Sequence, residues 1–229
     1  RLTTSHRMRT CVGSMVPVWF PEQMSAERIF EFLSRTLEDV ELFVAPSRLV
    51  LVVDGCEHAE EPARRAAAEL ARRAGEHPQV ICAAENAGKG GAVCTAFERL
   101  LEDDSVETLN IRDADGDHDI WDLPQLFTLF ETVRERVGED LFVVGGRETL
   151  ARPMGFARDR LEHLLNRLTI DAVNATLADA GRCVDERFTA RYDRVPDFQS
   201  GYKLYSRSAA RVVVDAIGEA HAAGPDLRV

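Results

Sequence analysis

Residues 106–119 read VETLNIRDADGDHD: an apolar-rich segment, Val106 to Ile111, runs straight into Arg112 and the carboxylates of Asp113, Asp115, Asp117 and Asp119. The first half has the composition of a strand, and a helical pattern opens near Trp121. Four carboxylates therefore crowd into seven residues where a strand ends. Like charges about 4 Å apart repel by roughly 4 kcal/mol per pair at an effective dielectric near 20. A cation relieves such crowding, and oxygen ligands suit Mg²⁺, Mn²⁺ or Ca²⁺. A solvated acidic loop is the alternative. An EF-hand loop is excluded: counted from Asp113, its sixth position is His118 rather than Gly and its twelfth is Pro124 rather than Glu. A more open site, sharing its metal with a phosphate, fits the pattern better.

Working outward, strands and helices alternate. Thr10 to Phe20 reads as a buried strand ending at Pro17, and Ser25 as the N-cap of a helix whose face is Ile29, Phe30, Leu33 and Leu37. Arg48 to Asp54 carries LVLVV, the continuous apolar run of a parallel strand covered on both faces. A helix over Pro62 to Gly75 and a strand over Gln79 to Ala84 follow. Asn86-Ala87-Gly88-Lys89-Gly90-Gly91 then turns into a helix with Val93, Ala96, Phe97 and Leu100 on one face. Beyond the acidic stretch the pattern predicts a helix over Leu123 to Val137 and a strand over Leu141 to Gly146. Gly155 to Gly181 reads as largely helical, Asp197 to Arg207 as a loop entering a short strand, and Ser208 to Ala223 as a last helix. Such alternation implies an α/β fold with right-handed crossovers and a mainly parallel sheet, and the absence of a repeat or linker favours one domain over residues 1–229.

The 229 residues carry a formal net charge of −11, which argues against a nucleic-acid surface. An anionic small substrate needs local positive charge or a metal to offset that field. Cys11, Cys56, Cys82, Cys94 and Cys183 form no Cys-x-x-Cys pair, so a disulfide framework and a zinc site are both disfavoured and a reducing, cytoplasmic setting is the default. No apolar run approaches a membrane span and no signal-peptide pattern is visible. The chain starts at Arg1 without Met and stops at Val229, so either end is open to trimming.

Ligands of open parallel sheets sit beyond the carboxyl ends of the strands. Three notable groups fall there: Asp54-Gly55, Asn86 to Gly91, and Asp113 to Asp119. The glycine-rich turn offers helix N-terminal N–H groups and one ammonium to a diphosphate. It is no Walker A loop, since Gly90 follows the lysine, and no strand feeds a Gly-x-Gly-x-x-Gly fingerprint. A tight turn with a surface lysine is its plainer reading.

In order, Val16-Pro17-Val18, VVDG, ENAGKGGA, DADGDHD, VVGGR and DFQSGYKLYSR resemble the family 2, GT-A fold glycosyltransferases over about residues 10–212. The last motif is most similar to dolichyl-phosphate and polyprenyl-phosphate glucosyl- or mannosyltransferases. The resemblance implies a GT-A type sheet with a Rossmann-like nucleotide-binding half, and a UDP- or GDP-linked sugar as donor. It implies Mn²⁺ or Mg²⁺ and an acceptor that is a lipid phosphate or a small hydroxyl compound. By position it gives Asp54 to the base or ribose, and Asn86, Gly88 and Lys89 to the nucleotide and diphosphate. Asp113 and Asp115 match the Asp-X-Asp pair, with Asp115 as direct metal ligand and Asp117 as a further candidate. Arg147 matches an acceptor-phosphate arginine, helped by Arg152, Arg158 and Arg160, and Asp197, Gln199 and Gly201 match the acceptor side. A lipid acceptor would place the chain at the cytoplasmic membrane face.

Two positions depart from the family. Gly55 stands where a second aspartate is expected, and no carboxylate beyond Gly201 clearly matches the family's further one. A phosphate acceptor needs no general base, because it is already ionised near neutral pH. Two other readings remain: a nucleotidyltransferase, which would carry a Gly-rich basic loop where Val16 to Pro21 stands, and a non-catalytic nucleotide-sugar binding module.

Overall fold

The computed structural model describes residues 3–138, 140–146, 155–181 and 197–223. Its contacts divide the chain into two compact units, residues 1–143 with 202–229, and residues 144–201. The first holds almost all of the sheet. Strands β1 (Val12–Val18), β2 (Leu49–Asp54), β3 (Gln79–Ala83), β4 (Thr108–Ile111), β5 (Phe142–Val144) and β6 (Lys203–Ser206) line up as β3-β2-β1-β4-β6-β5. β1 runs parallel to β2 and β4, and β2 parallel to β3. β6 is antiparallel to β4, so the sheet is mixed but mostly parallel. This is the α/β, Rossmann-like architecture expected of the sequence.

Every residue of β2 is buried, as its apolar run requires of a strand covered on both faces. Alternation sends Leu49, Leu51 and Val53 into one core and Val50 and Val52 into the other. The first core is closed by helices α2 (Ala26–Thr36), α3 (Glu60–Ala74) and α5 (Leu123–Val137), through Ile29, Leu33, Leu70 and Phe130 among others. The second is closed by α4 (Gly88–Leu101), whose Val93, Ala96, Phe97 and Leu100 are the predicted face, and by Ala210 of α7 (Arg207–Ala223). Ser25 caps α2 by accepting from the Arg28 N–H, and Gly75 ends α3 at φ 76°.

Both bounds of the first strand differ from the sequence reading. Thr10 and Cys11 belong to an N-terminal helix, α1 (Thr4–Cys11), and the strand opens only at Val12. Only Met8 and Cys11 of that helix are buried, too few to give a readable period. Pro17 lies inside β1 but beyond the stretch paired with β4, which ends at Met15, so its missing N–H breaks no ladder there.

The antiparallel join is pinned by polar groups in a dry setting. The buried Asn110 side chain accepts from Ser14 Oγ at 2.9 Å and donates to Lys203 O at 3.1 Å, linking β1, β4 and β6. In the second unit, α6 (Phe156–Ala178) uses Asn166 to donate to Asp197 Oδ1 at 3.3 Å and to accept from Gln199 N at 3.2 Å. Among the described residues no helix is long and apolar enough to cross a membrane.

Removing the Asn110 amide strands Ser14 Oγ and the Lys203 carbonyl in the core. Asn110→Ala should lower urea-unfolding stability by about 2–4 kcal/mol, and Ser14→Ala by roughly 1 kcal/mol. Equal, sub-kilocalorie effects would show that the pair is not structural.

Candidate functional site

The parallel register places the carboxyl ends of β1, β2, β3 and β4 along one edge, with Val18 opposite Val53, Asp54 opposite Ala83, and Met15 opposite Ile111. Beyond them lies a cavity of about 340 Å³ lined by Pro17 to Phe20, Asp54, Asn86, Gly88, Lys89, Ala92, and Asp113 to Asp115. Four segments that sequence separates by dozens of residues thus meet at one cavity.

Asp54, only 4% exposed, closes β2 and accepts from the Ala87 N–H at 2.8 Å through Oδ1. Among the described residues no second hydrogen bond reaches this carboxylate. Asn86 Oδ1 in turn accepts from Gly88 N at 2.8 Å, a side-chain turn that sets up the start of α4. The first turn of that helix presents N–H groups without intrahelical partners, at the positive end of its dipole.

Gly55 has a structural reason. It sits at φ 56°, and a Cβ there would fall 2.3 Å from the backbone nitrogen of Asn86. The aspartate expected from the family has no room at this position. The next residues brace the β1 loop instead: Cys56 Sγ donates to Phe20 O at 3.4 Å, and His58 Nε2 lies 3.2 Å from Pro21 O.

On the other side of the cavity, Asp113 is engaged through both oxygens. Lys89 Nζ lies 2.5 Å from Oδ1 and His118 Nε2 lies 3.6 Å from Oδ2. Burial opposes ionisation of Asp113, but the nearby His118 ring together with the charge and hydrogen bond of Lys89 outweighs it. The carboxyl is therefore held well below the usual carboxylate range. Asp115 is exposed, and its Oδ1 accepts from the Asp117 N–H at 3.1 Å. Asp117 is exposed and does not line the cavity; Asp119 caps the following 3₁₀ turn by accepting from Trp121 N at 3.0 Å.

Arg112 is 2% exposed. Its Nη2 donates to Thr36 O at 2.6 Å and to His118 O at 3.1 Å, tying the acidic loop to the end of α2. Burial lowers its pKa from the ordinary value, against the opposing influence of Tyr202 and Asp119. Sequence reasoning read His118 as structural and gave no site role to Arg112, Trp19 or Phe20: Arg112 reaches Thr36, 76 residues away, and Trp19 and Phe20 reach the cavity only through the fold.

Asp54, Asn86, Gly88, Lys89, Asp113 and Asp115 are therefore brought together. Arg147 and Arg152 lie outside the described residues. Arg158 is paired with Glu162 at 2.9 Å and Arg160 stacks over Phe156, both within α6. Asp197, Gln199 and Gly201 belong to the second unit. Among the described residues no three His, Cys, Asp or Glu side chains gather as a metal cluster. The donor set is compatible with an open Mg²⁺ or Mn²⁺ site of one or two carboxylates completed by phosphate oxygens and water, and Asp115 is the more accessible of the two carboxylates.

Fold and cavity define an α/β protein with a cavity at the carboxyl edge of a mostly parallel sheet. No family model and no curated protein matches the sequence. Among solved structures, a mannosyltransferase of Pyrobaculum calidifontis in complex with GDP-Man and Mn²⁺ is similar at TM-score 0.40 and 20% identity. That likeness covers 61% of this chain and 36% of the mannosyltransferase, so the chain spans about a third of that relative. A 4-diphosphocytidyl-2C-methyl-D-erythritol synthase of Anaerococcus prevotii is similar at TM-score 0.40 and 8% identity, over 96% of this chain and 80% of that one.

Two outcomes follow from this geometry. Gly55→Ala should cost more stability than Gly75→Ala: both have positive φ, worth about 1–2 kcal/mol for a side chain, but only Gly55 adds a collision with backbone, whereas Gly75 faces open space. Equal losses in thermal melts would remove the steric account of Gly55. The second concerns pH. Asp113 has a folded pKa below its unfolded value of about 4, so its stabilisation is complete above that value and is lost as pH falls through the folded one. The stability gap between wild type and Asp113→Asn should narrow steadily below pH ~4. A gap that stays constant to acid would show that the charge is not the source.

Proposed function

We propose that the chain is a metal-dependent glycosyltransferase that moves a sugar from a UDP- or GDP-linked donor to an acceptor. One observation carries this reading. The buried carboxylate of Asp54, the glycine turn with Lys89, and the Asp113/Asp115 pair converge on one cavity at the strand ends. A nucleotide diphosphate needs those three things: an acceptor for base or ribose donors, N–H groups with an ammonium for phosphate, and carboxylates for its metal.

In this mechanism Asp54 binds the nucleoside, and Asn86, Gly88 and Lys89 hold the diphosphate. Asp115, with Asp113 and Asp117 as further candidates, holds Mn²⁺ or Mg²⁺, which when bound supplies Lewis-acid stabilisation to the leaving diphosphate. The acceptor attacks the anomeric carbon in a single displacement, with inversion. The family resemblance gives Arg147 to the phosphate of a polyprenyl-phosphate acceptor, and Asp197, Gln199 and Gly201 to the acceptor side. A phosphate acceptor accounts for the lack of an evident general base. Such an acceptor would draw the protein to a membrane surface. The loop after β1 is Trp19-Phe20-Pro21, without the glycines and basic residues a nucleotidyltransferase uses there.

The test is turnover on a panel of nucleotide-sugars with Mn²⁺, following nucleoside diphosphate release and the anomer formed. Asp115→Asn should reduce turnover by roughly 100-fold or more. Asp119→Asn, which keeps a capping oxygen outside the cavity, should stay near wild type. Release of pyrophosphate from a nucleoside triphosphate would mark a nucleotidyltransferase, and tight donor binding with no turnover would mark a binding module.

A further inference from the structure

Asp113 matches the first carboxylate of the metal-binding pair, yet one of its oxygens already holds the Lys89 ammonium at 2.5 Å, and His118 Nε2 lies 3.6 Å from the other. A divalent ion and an ammonium on the same carboxylate repel, so a metal at Asp113 competes with Lys89. Lys89 and His118 are not equally free to leave. The His118 ring is nearly buried, lies 5.3 Å from the Tyr202 ring, and has its backbone carbonyl held by the buried Arg112. Lys89 is half-exposed, sits in the first turn of α4, and carries its charge on a flexible four-carbon stem.

We propose that Lys89 is an exchangeable internal cation: its ammonium occupies Asp113 while the cavity holds no nucleotide, and passes to the donor's diphosphate when that binds, which opens Asp113 to the divalent ion. The inference rests on the donor reading above and adds an order of events to it. Among the described residues lining the cavity, Lys89 is the one cationic side chain, alongside the carboxylates of Asp54, Asp113 and Asp115. When it turns to the diphosphate, Asp113 and Asp115 are left without an ammonium, and like-charge crowding makes a divalent ion the natural replacement. The ammonium keeps its proton throughout, and no covalent bond changes.

Linkage gives the consequence. A metal arriving alone must compete with Lys89, and a diphosphate arriving alone must pull Lys89 from its carboxylate. Each ligand therefore lowers the cost of the other, reciprocally. The arrangement disfavours a metal held idle without donor.

The experiment measures free Mn²⁺ by electron paramagnetic resonance on the full chain, first with the metal alone and then with UDP or GDP added. Wild type should bind Mn²⁺ alone weakly. Lys89→Met should bind it about ten-fold tighter, and Lys89→Arg, which keeps the charge, should stay near wild type. Lys89→Gln, a second neutral variant, should match Lys89→Met, and circular dichroism checks that each is folded. Equal Mn²⁺ affinity in wild type and the neutral variants, with metal binding intact when UDP or GDP is present, overturns the exchange and leaves the donor reading standing. Tight binding by Lys89→Arg also overturns it, because charge would then not be the obstacle. Absence of Mn²⁺ binding in every variant and condition overturns both.

Discussion

Carboxylates placed at the end of a buried sheet must be compensated, and the site is organised around that constraint. Asp113 is stabilised as an anion by Lys89 and His118, residues that arrive from the N-terminus of α4 and from the acidic loop itself. The pairing spans 24 residues of sequence and joins the turn after β3 to the loop after β4. On an acidic chain of net charge −11, one ammonium in the cavity is what makes an anionic ligand admissible there.

Around this pair the scaffold is rigid where it needs to be. The β2 end is fixed to the glycine turn through the Asp54–Ala87 hydrogen bond, and Gly55 permits that approach because it lacks a Cβ. The acidic loop is fixed to α2 by Arg112, a charge removed from water whose Nη2 donates to two backbone carbonyls. The β1 loop is braced by Cys56 and His58. By contrast Lys89 and Asp115 remain accessible to solvent.

Most of the architecture was legible because strong local signals agreed with the global fold. LVLVV of β2, the Ser25 cap, and the Val93-Ala96-Phe97-Leu100 face each state their environment within a few residues. Helix α1 was not legible, since Met8 and Cys11 alone carry its buried face. In the site, the residue types and their positions at strand ends could be read directly. The pairing of Lys89 with Asp113, and the reach of Arg112 to a carbonyl 76 residues away, depend on tertiary placement that no local pattern encodes. The same holds for Gly55, where sequence shows a departure and only the backbone of Asn86 explains it.

The central claim is that this cavity binds a nucleoside diphosphate, and backbone amide NMR tests it most directly. Titrating UDP and GDP in the presence of diamagnetic Mg²⁺ should shift the amides of Asp54, Asn86 to Gly91 and Asp113 to Asp115, with the largest changes at the start of α4. Shifts confined to other parts of the chain, or none with either nucleotide at millimolar concentration, would contradict the account.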